Sequence, residues 1–138
     1  MMRALVFDDD DGIREFVAMV LREMGFIVEE YDRPGSCPYG DAANCECTGR
    51  QVCADLIISD MQMPGMTGLQ FIERQLNNGC RVRNIALMSA NWMPEDYRRA
   101  KQLGVKIFHK PFDVNELTAW VESRIEEIEQ SWIKSIAV

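Results

Sequence analysis

The chain carries a single histidine, His109, and only 15 Lys and Arg against 22 Asp and Glu, for a formal charge of −7. It also lacks any uninterrupted apolar run of about eighteen residues, the length a membrane-spanning helix needs. Each shortage removes a class of function. One histidine builds neither a zinc cluster of histidines nor a Ser-His-Asp triad, so His109 reads as a strand-end residue without a special role. A net acidic surface is repelled by phosphate backbones and by anionic membranes, so neither direct nucleic-acid binding nor membrane association is expected. The opening "MMRALVF" has no basic region followed by a long apolar core and a small-residue cleavage site, so it reads as a strand start rather than a secretory leader. A cytoplasmic protein is the expectation.

What is present fits one soluble globular domain. The chain has 138 residues, 47% hydrophobic and 27% charged, near the commonest domain size and long enough to bury a core. "RALVFD" is a short apolar run of the kind a strand covered on both faces needs, and Ile13, Phe16, Val17, Val20, Leu21 and Met24 then recur at helical spacing up to Gly25. "FIVEEY" predicts a second strand. Pro34, Gly35, Pro38 and Gly40 interrupt the stretch where a second helix is due. Regular alternation then resumes: the strand "ADLIISD", a helix from about Thr67 with Leu69, Phe71, Ile72 and Leu76 inward, the strand "NIALMSA", a helix from Pro94 to Gly104, the strand "VKIFHK" and a long last helix. Five strands alternating with helices specify an α/β, doubly wound parallel sheet, whose ligands gather at the carboxyl ends of the strands.

Those ends hold the chemistry. The first strand ends at Asp8 and Asp9, the third at Asp60, the fourth at Ser89 and the fifth at Lys110. Three carboxylates brought together suit a hard divalent cation such as magnesium. Asp10 and Asp11, the rest of the run of four aspartates, fall at a helix start, where the positive end of the dipole favours them.

In this order and placement, "VFDDDDGIR", "LIISDMQMPGMTGL", "ALMSA" and "FHKPF" closely resemble the acidic-pair, phosphorylation, hydroxyl and Lys-Pro segments of the receiver domain of two-component response regulators, over nearly the whole chain. The resemblance implies a flavodoxin-like sheet of order 2-1-3-4-5 and a chemotaxis-regulator-like, stand-alone receiver over residues 1–138. It makes Asp60 the acceptor of a phosphoryl group from a histidine kinase or phosphotransfer protein. Asp9 would hold Mg2+ or Mn2+ directly, with Asp60 and the backbone carbonyl of Gln62, and Asp8 through water or by orienting the site. Ser89 and Lys110 would contact the phosphoryl oxygens, and Pro111 would follow a cis peptide bond. The family's inward-turning aromatic, three residues before the lysine, is replaced by Ile107, with Phe108 beside it. Such a receiver is a signalling switch rather than an enzyme, and it docks its target through the face made by the family's fourth helix, fifth strand and fifth helix.

Two other readings weigh against this one. "DDDG", Asp9 to Gly12, superficially matches the nucleophile segment of haloacid-dehalogenase-like phosphatases, but Ile13 stands where Thr is expected and the chain has no room for a cap. A degenerate receiver that binds partners without phosphorylation is disfavoured because each core residue is present. Two features lie outside the resemblance. Residues 37–53 form a Cys-rich insertion in place of or around the second helix, where Cys37, Cys45, Cys47 and Cys53 suit a second metal or iron-sulfur site, redox-active thiols, or unlinked cysteines. Residues 125–138 extend the last helix, and its stripe of Leu117, Trp120, Val121, Ile125, Ile128, Trp132 and Ile136 suits either packing on its own domain or a homodimer.

Overall fold

The structure, a computed structural model, describes residues 1–36, 47 and 52–136. Five strands, β1 (Met2–Phe7), β2 (Phe26–Tyr31), β3 (Leu56–Asp60), β4 (Asn84–Ser89) and β5 (Lys106–His109), form one sheet of order β2-β1-β3-β4-β5. All neighbouring pairs run parallel. Four α-helices, α1 (Asp11–Glu23), α2 (Gly68–Asn77), α3 (Pro94–Leu103) and α4 (Val114–Ile136), connect and flank them among the described residues. Of the expected insertion over residues 37–53, residues 37–46 and 48–51, with Cys37 and Cys45, lie outside the described residues.

Strand alternation sorts the core into two layers. Ala4, Val6, Leu56, Ile58, Ala86, Met88 and Phe108 face α1 and α4, meeting Val17, Leu21, Leu117, Val121 and Ile128. Leu5, Phe7, Ile57, Ile85, Leu87 and Ile107 face α2 and α3, meeting Leu69, Phe71, Ile72 and Ala100. Burying each large apolar side chain contributes about 2 kcal/mol, so both layers are needed to hold the sheet. Phe16, one of the periodic positions of α1, departs from expectation and is exposed. Its neighbours Val17, Val20 and Leu21 already fill the stripe against the sheet. The last helix packs inward through Leu117, Val121 and Ile128, whereas Trp132, Ile133 and Ile136 on its outer turns are exposed.

Helix starts explain part of the aspartate run. The Asp10 carboxylate accepts the N–H of Ile13 at 3.0 Å and caps α1, while Asp11 sits in its first turn and pairs with Arg14 at 2.8 Å. Helix α2 starts with a reciprocal cap in which Thr67 accepts from the Gln70 N–H and Gln70 accepts from the Thr67 N–H. Its first residue, Gly68, lies so close to the end of β3 that a Cβ there would stand 2.3 Å from the Asp60 carbonyl oxygen. Only glycine lets α2 begin there without moving the backbone of Asp60.

Candidate functional site

Parallel pairing delivers the ends of β1, β3, β4 and β5 to one edge. Asp8 follows β1 directly, Asp60 ends β3, Ser89 ends β4 and Lys110 follows β5. Ligand oxygens of Asp8, Asp9 and Asp60 all lie within 4.8 Å of one another. Asp8 and Asp60 are 0% and 4% exposed, and Asp9 opens to solvent. The Lys110 ammonium stands between the two buried carboxylates, 3.1 Å from Asp8 Oδ2 and 2.9 Å from Asp60 Oδ1. Asp8 is held further by its Oδ1, which accepts the Asp10 N–H at 2.9 Å, and by its carbonyl oxygen, which accepts from the Arg14 guanidinium at 2.9 Å. Arg14 is thus the cation threaded through the aspartate run, touching both Asp8 and Asp11.

The charge balance shapes the protonation of the pair. Burial pushes the Asp60 carboxyl above the ordinary aspartate range, and Asp8 and Asp9 add to this while Lys110 offsets part of it. Burial pulls Lys110 down, but its hydrogen bonds and charge pairing with Asp60 and Asp8 outweigh that and hold it above the ordinary lysine value. Three carboxylates face one ammonium, so the site gains from additional positive charge. Its donors are carboxylate oxygens in a solvent-open pocket, which is the chemistry a hard divalent cation takes.

The remaining positions are arranged around this pocket. Ser89 is buried and its Oγ accepts the Asn91 N–H at 3.1 Å, fixing the turn after β4. Gln62, two residues after Asp60, is exposed. The Lys110–Pro111 peptide is cis, and the Lys110 N–H donates to the Ser89 carbonyl at 2.9 Å. On β5, Ile107 packs into the layer under α2 and α3, while Phe108 points into the opposite layer, so Phe108 does not take the place of the missing aromatic. The aromatic surface lies elsewhere: the Trp92 indole donates to the Phe108 carbonyl at 3.0 Å, and Trp92, Tyr97 and His109 pack together around a shallow concavity. His109, given no role from the sequence, is part of that cluster. Asp11 is 79% exposed on its side chain and turned to Arg14, so the Asp9 and Asp11 pair required by the phosphatase reading does not converge.

This strand order, with its carboxylates and lysine at the carboxyl edge, is that of the flavodoxin-like doubly wound receivers. The family model described as the response regulator receiver domain matches residues 4–122, and the chain belongs to that family, the receivers of two-component systems. The probable transcriptional regulator ycf29 of Cyanophora paradoxa is 32% identical over 124 residues, 88% of this chain and 55% of its own length. The phosphate regulon transcriptional regulatory protein PhoB of Klebsiella pneumoniae is 31% identical over 137 residues, 97% of this chain and 56% of its own length. The chain spans about half the length of the curated relatives it matches. Among solved structures, chemotaxis protein CheY4 of Vibrio cholerae superposes with a TM-score of 0.68 at 26% identity, over 89% of this chain and 98% of that one. A receiver domain protein from Clostridium thermocellum reaches 0.75 at 18% identity over 94% and 98%, a likeness of fold alone. No helix among the described residues is long and apolar enough to cross a membrane.

Sequence reasoning missed three contributors. Gly68 shows its purpose only when α2 is seen against β3, and Arg14 only when its reach back to Asp8 is known. Cys80 stands alone in the sequence, yet it meets Cys47 and Cys53 in space. The signal available was positional: Cys53 and Cys80 precede β3 and β4, which are adjacent strands.

Proposed function

We propose that the chain is a phosphorylation-driven switch that receives a phosphoryl group on Asp60 from a histidine kinase or phosphotransfer protein and signals by docking a partner. The observation that carries this reading is the buried Asp60 carboxylate, 2.9 Å from the Lys110 ammonium and clustered with Asp8 and Asp9. One Asp60 oxygen forms the bond to phosphorus as the bond to the donor's imidazole nitrogen breaks, a transfer that depends on positioning and charge neutralisation. Asp8, Asp9, Asp60 and the Gln62 carbonyl are the groups that would hold Mg2+ or Mn2+, which when bound neutralises charge on the phosphoryl oxygens. Lys110, already against Asp60, offsets the same charge from the other side. Ser89 accepts from Asn91 and keeps its own proton to donate to a phosphoryl oxygen. The domain accepts and hydrolyses its own phosphoryl group rather than acting on external substrates.

Phosphorylation shifts populations only through contacts that differ between two states. With Ile107 in place of a ring, the readout passes from Ser89 into residues 90–97, where Trp92 ties the loop to β5. The docking face is that of α3, β5 and α4, with Trp92, Tyr97, Lys101 and His109 around its concavity. The exposed outer end of α4 offers apolar surface for self-association, read by sedimentation at high concentration. Incubation with acetyl phosphate and magnesium, followed by intact mass, tests the whole reading. One phosphoryl addition, absent in Asp60→Asn, is expected; turnover of phosphate esters without an acyl phosphate contradicts it.

A further inference from the structure

At the opposite edge of the sheet, where β3 and β4 begin, three thiols converge. The Sγ atoms of Cys47, Cys53 and Cys80 lie within 4.8 Å of one another, with Cys53 to Cys80 at 3.8 Å and Cys47 to Cys80 at 3.9 Å. Cys53 and Cys80 are 5% and 8% exposed and Cys47 is half-buried, so the group has an apolar floor and one open side. The segments that carry Cys53 and Cys80 are tied to their neighbours by hydrogen bonds. The Asp55 carboxylate accepts the Arg3 N–H at 2.8 Å and the Asp55 carbonyl accepts from Asn84 at 2.9 Å, locking the residues after Cys53 to β1 and β4. Gly79, at φ +89°, turns the chain after α2, and the Cys80 N–H donates to the Gln75 carbonyl at 2.9 Å. The Cys53 N–H donates to the Cys47 sulfur at 3.3 Å, the kind of bond that orients and stabilises a thiolate ligand.

The spacing selects among the chemistries open to cysteines. A disulfide needs sulfurs about 2.0 Å apart and joins two, not three. A tetrahedral ion with metal–sulfur bonds of about 2.3 Å sets its sulfurs about 3.8 Å from one another, the separation found for Cys53–Cys80 and Cys47–Cys80, with Cys47 and Cys53 within 4.8 Å. Thiolates bound to different irons of a cluster are held apart by the cluster itself, so one ion fits better than an iron-sulfur centre. We propose that Cys47, Cys53 and Cys80 bind a single zinc ion as thiolates at the amino-terminal edge of β3 and β4. Three S–H protons pass to solvent as three zinc–sulfur bonds form, with no change in oxidation state. The described residues supply three ligands, and the ion cross-links the segment before β3 to the turn after α2. This site is separate from the acidic pocket in both position and ligand chemistry: one edge takes a hard ion on oxygen, the other a soft ion on sulfur.

Titration of the reduced full chain, anaerobically and with excess magnesium to occupy the carboxylates, tests the site. Cobalt is expected to bind at one equivalent with a sulfur-to-cobalt charge-transfer band, which zinc then bleaches. Cys80→Ser is the decisive variant, because Cys80 lies outside the Cys-rich segment: it is expected to lose the band, to weaken zinc binding at least about tenfold, and to lose the rise in melting temperature that zinc gives the wild type. Should Cys80→Ser fail to show the wild-type circular dichroism, Cys47→Ser, altered at the half-buried ligand, gives the same reading. Zinc retained by both variants at wild-type affinity, or a reduced wild type with five reactive thiols and no bound zinc, overturns the proposal.

Discussion

The two edges of the sheet solve opposite problems with the same scaffold. At the carboxyl edge, Asp8, Asp9 and Asp60 are brought together as charges that repel, and Lys110 pairs with two of them, Asp8 and Asp60. At the amino edge, the free thiols of Cys53 and Cys80 meet inside the α2 and α3 layer, with Cys47 packed against it. The hydrogen bond with Cys80 and burial both hold the Cys53 thiol well above the usual thiol range, so without an ion this group packs as an apolar residue. Converging acids make a site that is costly when empty of cations. Converging thiols make one that folds at little cost and waits for its ion. The first arrangement suits a pocket whose charge must change during signalling, the second a cross-link added to a finished fold.

Removing the chain's own cation is the largest way to break this contrast. Lys110→Ala strands two buried carboxylates and is expected to cost about 3 kcal/mol by denaturant unfolding without magnesium. Because the folded-state value of Lys110 is raised, its contribution is full below the ordinary 10.5 and fades only as pH climbs through the raised value, so the loss is constant across neutral pH. Gly68→Ala comes next: relieving the 2.3 Å approach to the Asp60 carbonyl must move α2 or the end of β3, for about 2 kcal/mol in stability and slower phosphoryl uptake from acetyl phosphate.

At the other edge, Cys80→Ala without metal is expected to cost only about 1 kcal/mol, the value of a small buried apolar group rather than of a charge pair. A cost as large as that of Lys110→Ala would mean that the thiols already carry an ion or a charge.

Protonation sharpens the comparison with the smallest shift. Asp60 has a raised folded-state value, so its folded form keeps a proton that the unfolded chain, at an ordinary 3.8, has already released. Its contribution to stability is therefore greatest at low pH and is lost as pH rises through the raised value, where ionised Asp60 becomes a burden that magnesium can lift. The magnesium-induced rise in melting temperature is expected to be larger at about pH 8 than at about pH 4, and Asp60→Asn should flatten that difference. An equal rise at both, in both proteins, would place magnesium elsewhere.

Much of this was legible in the sequence because the strands and most helices are each written in contiguous residues. The period of two in the strands separates Ile107 from Phe108, and the strand ends carry Asp8, Asp60, Ser89 and Lys110 to one edge once the strands are parallel. Four carboxylates in a row could be told apart by distance from the helix start: Asp10 caps α1 and Asp11 pairs with Arg14, leaving Asp8 and Asp9 to the site. What was not legible depends on packing between segments far apart in sequence. The cysteine cluster read from residues 37–53 took its members from proximity along the chain, whereas the structure joins Cys47 and Cys53 to Cys80 across adjacent strands. Phe16 fitted the helical period but fell outside the sheet-facing stripe. Gly68 mattered for the space it leaves beside Asp60, which no periodicity reveals.

Amide proton–nitrogen correlation spectra of the reduced chain, comparing magnesium alone with magnesium plus acetyl phosphate, test most directly that Asp60 is where the signal enters. The expected change centres on residues 8–9, 60–62, 89–97 and 110, spares Cys53 and Cys80, and vanishes in Asp60→Asn. Changes that persist in Asp60→Asn, or that centre on the thiol edge, would contradict it.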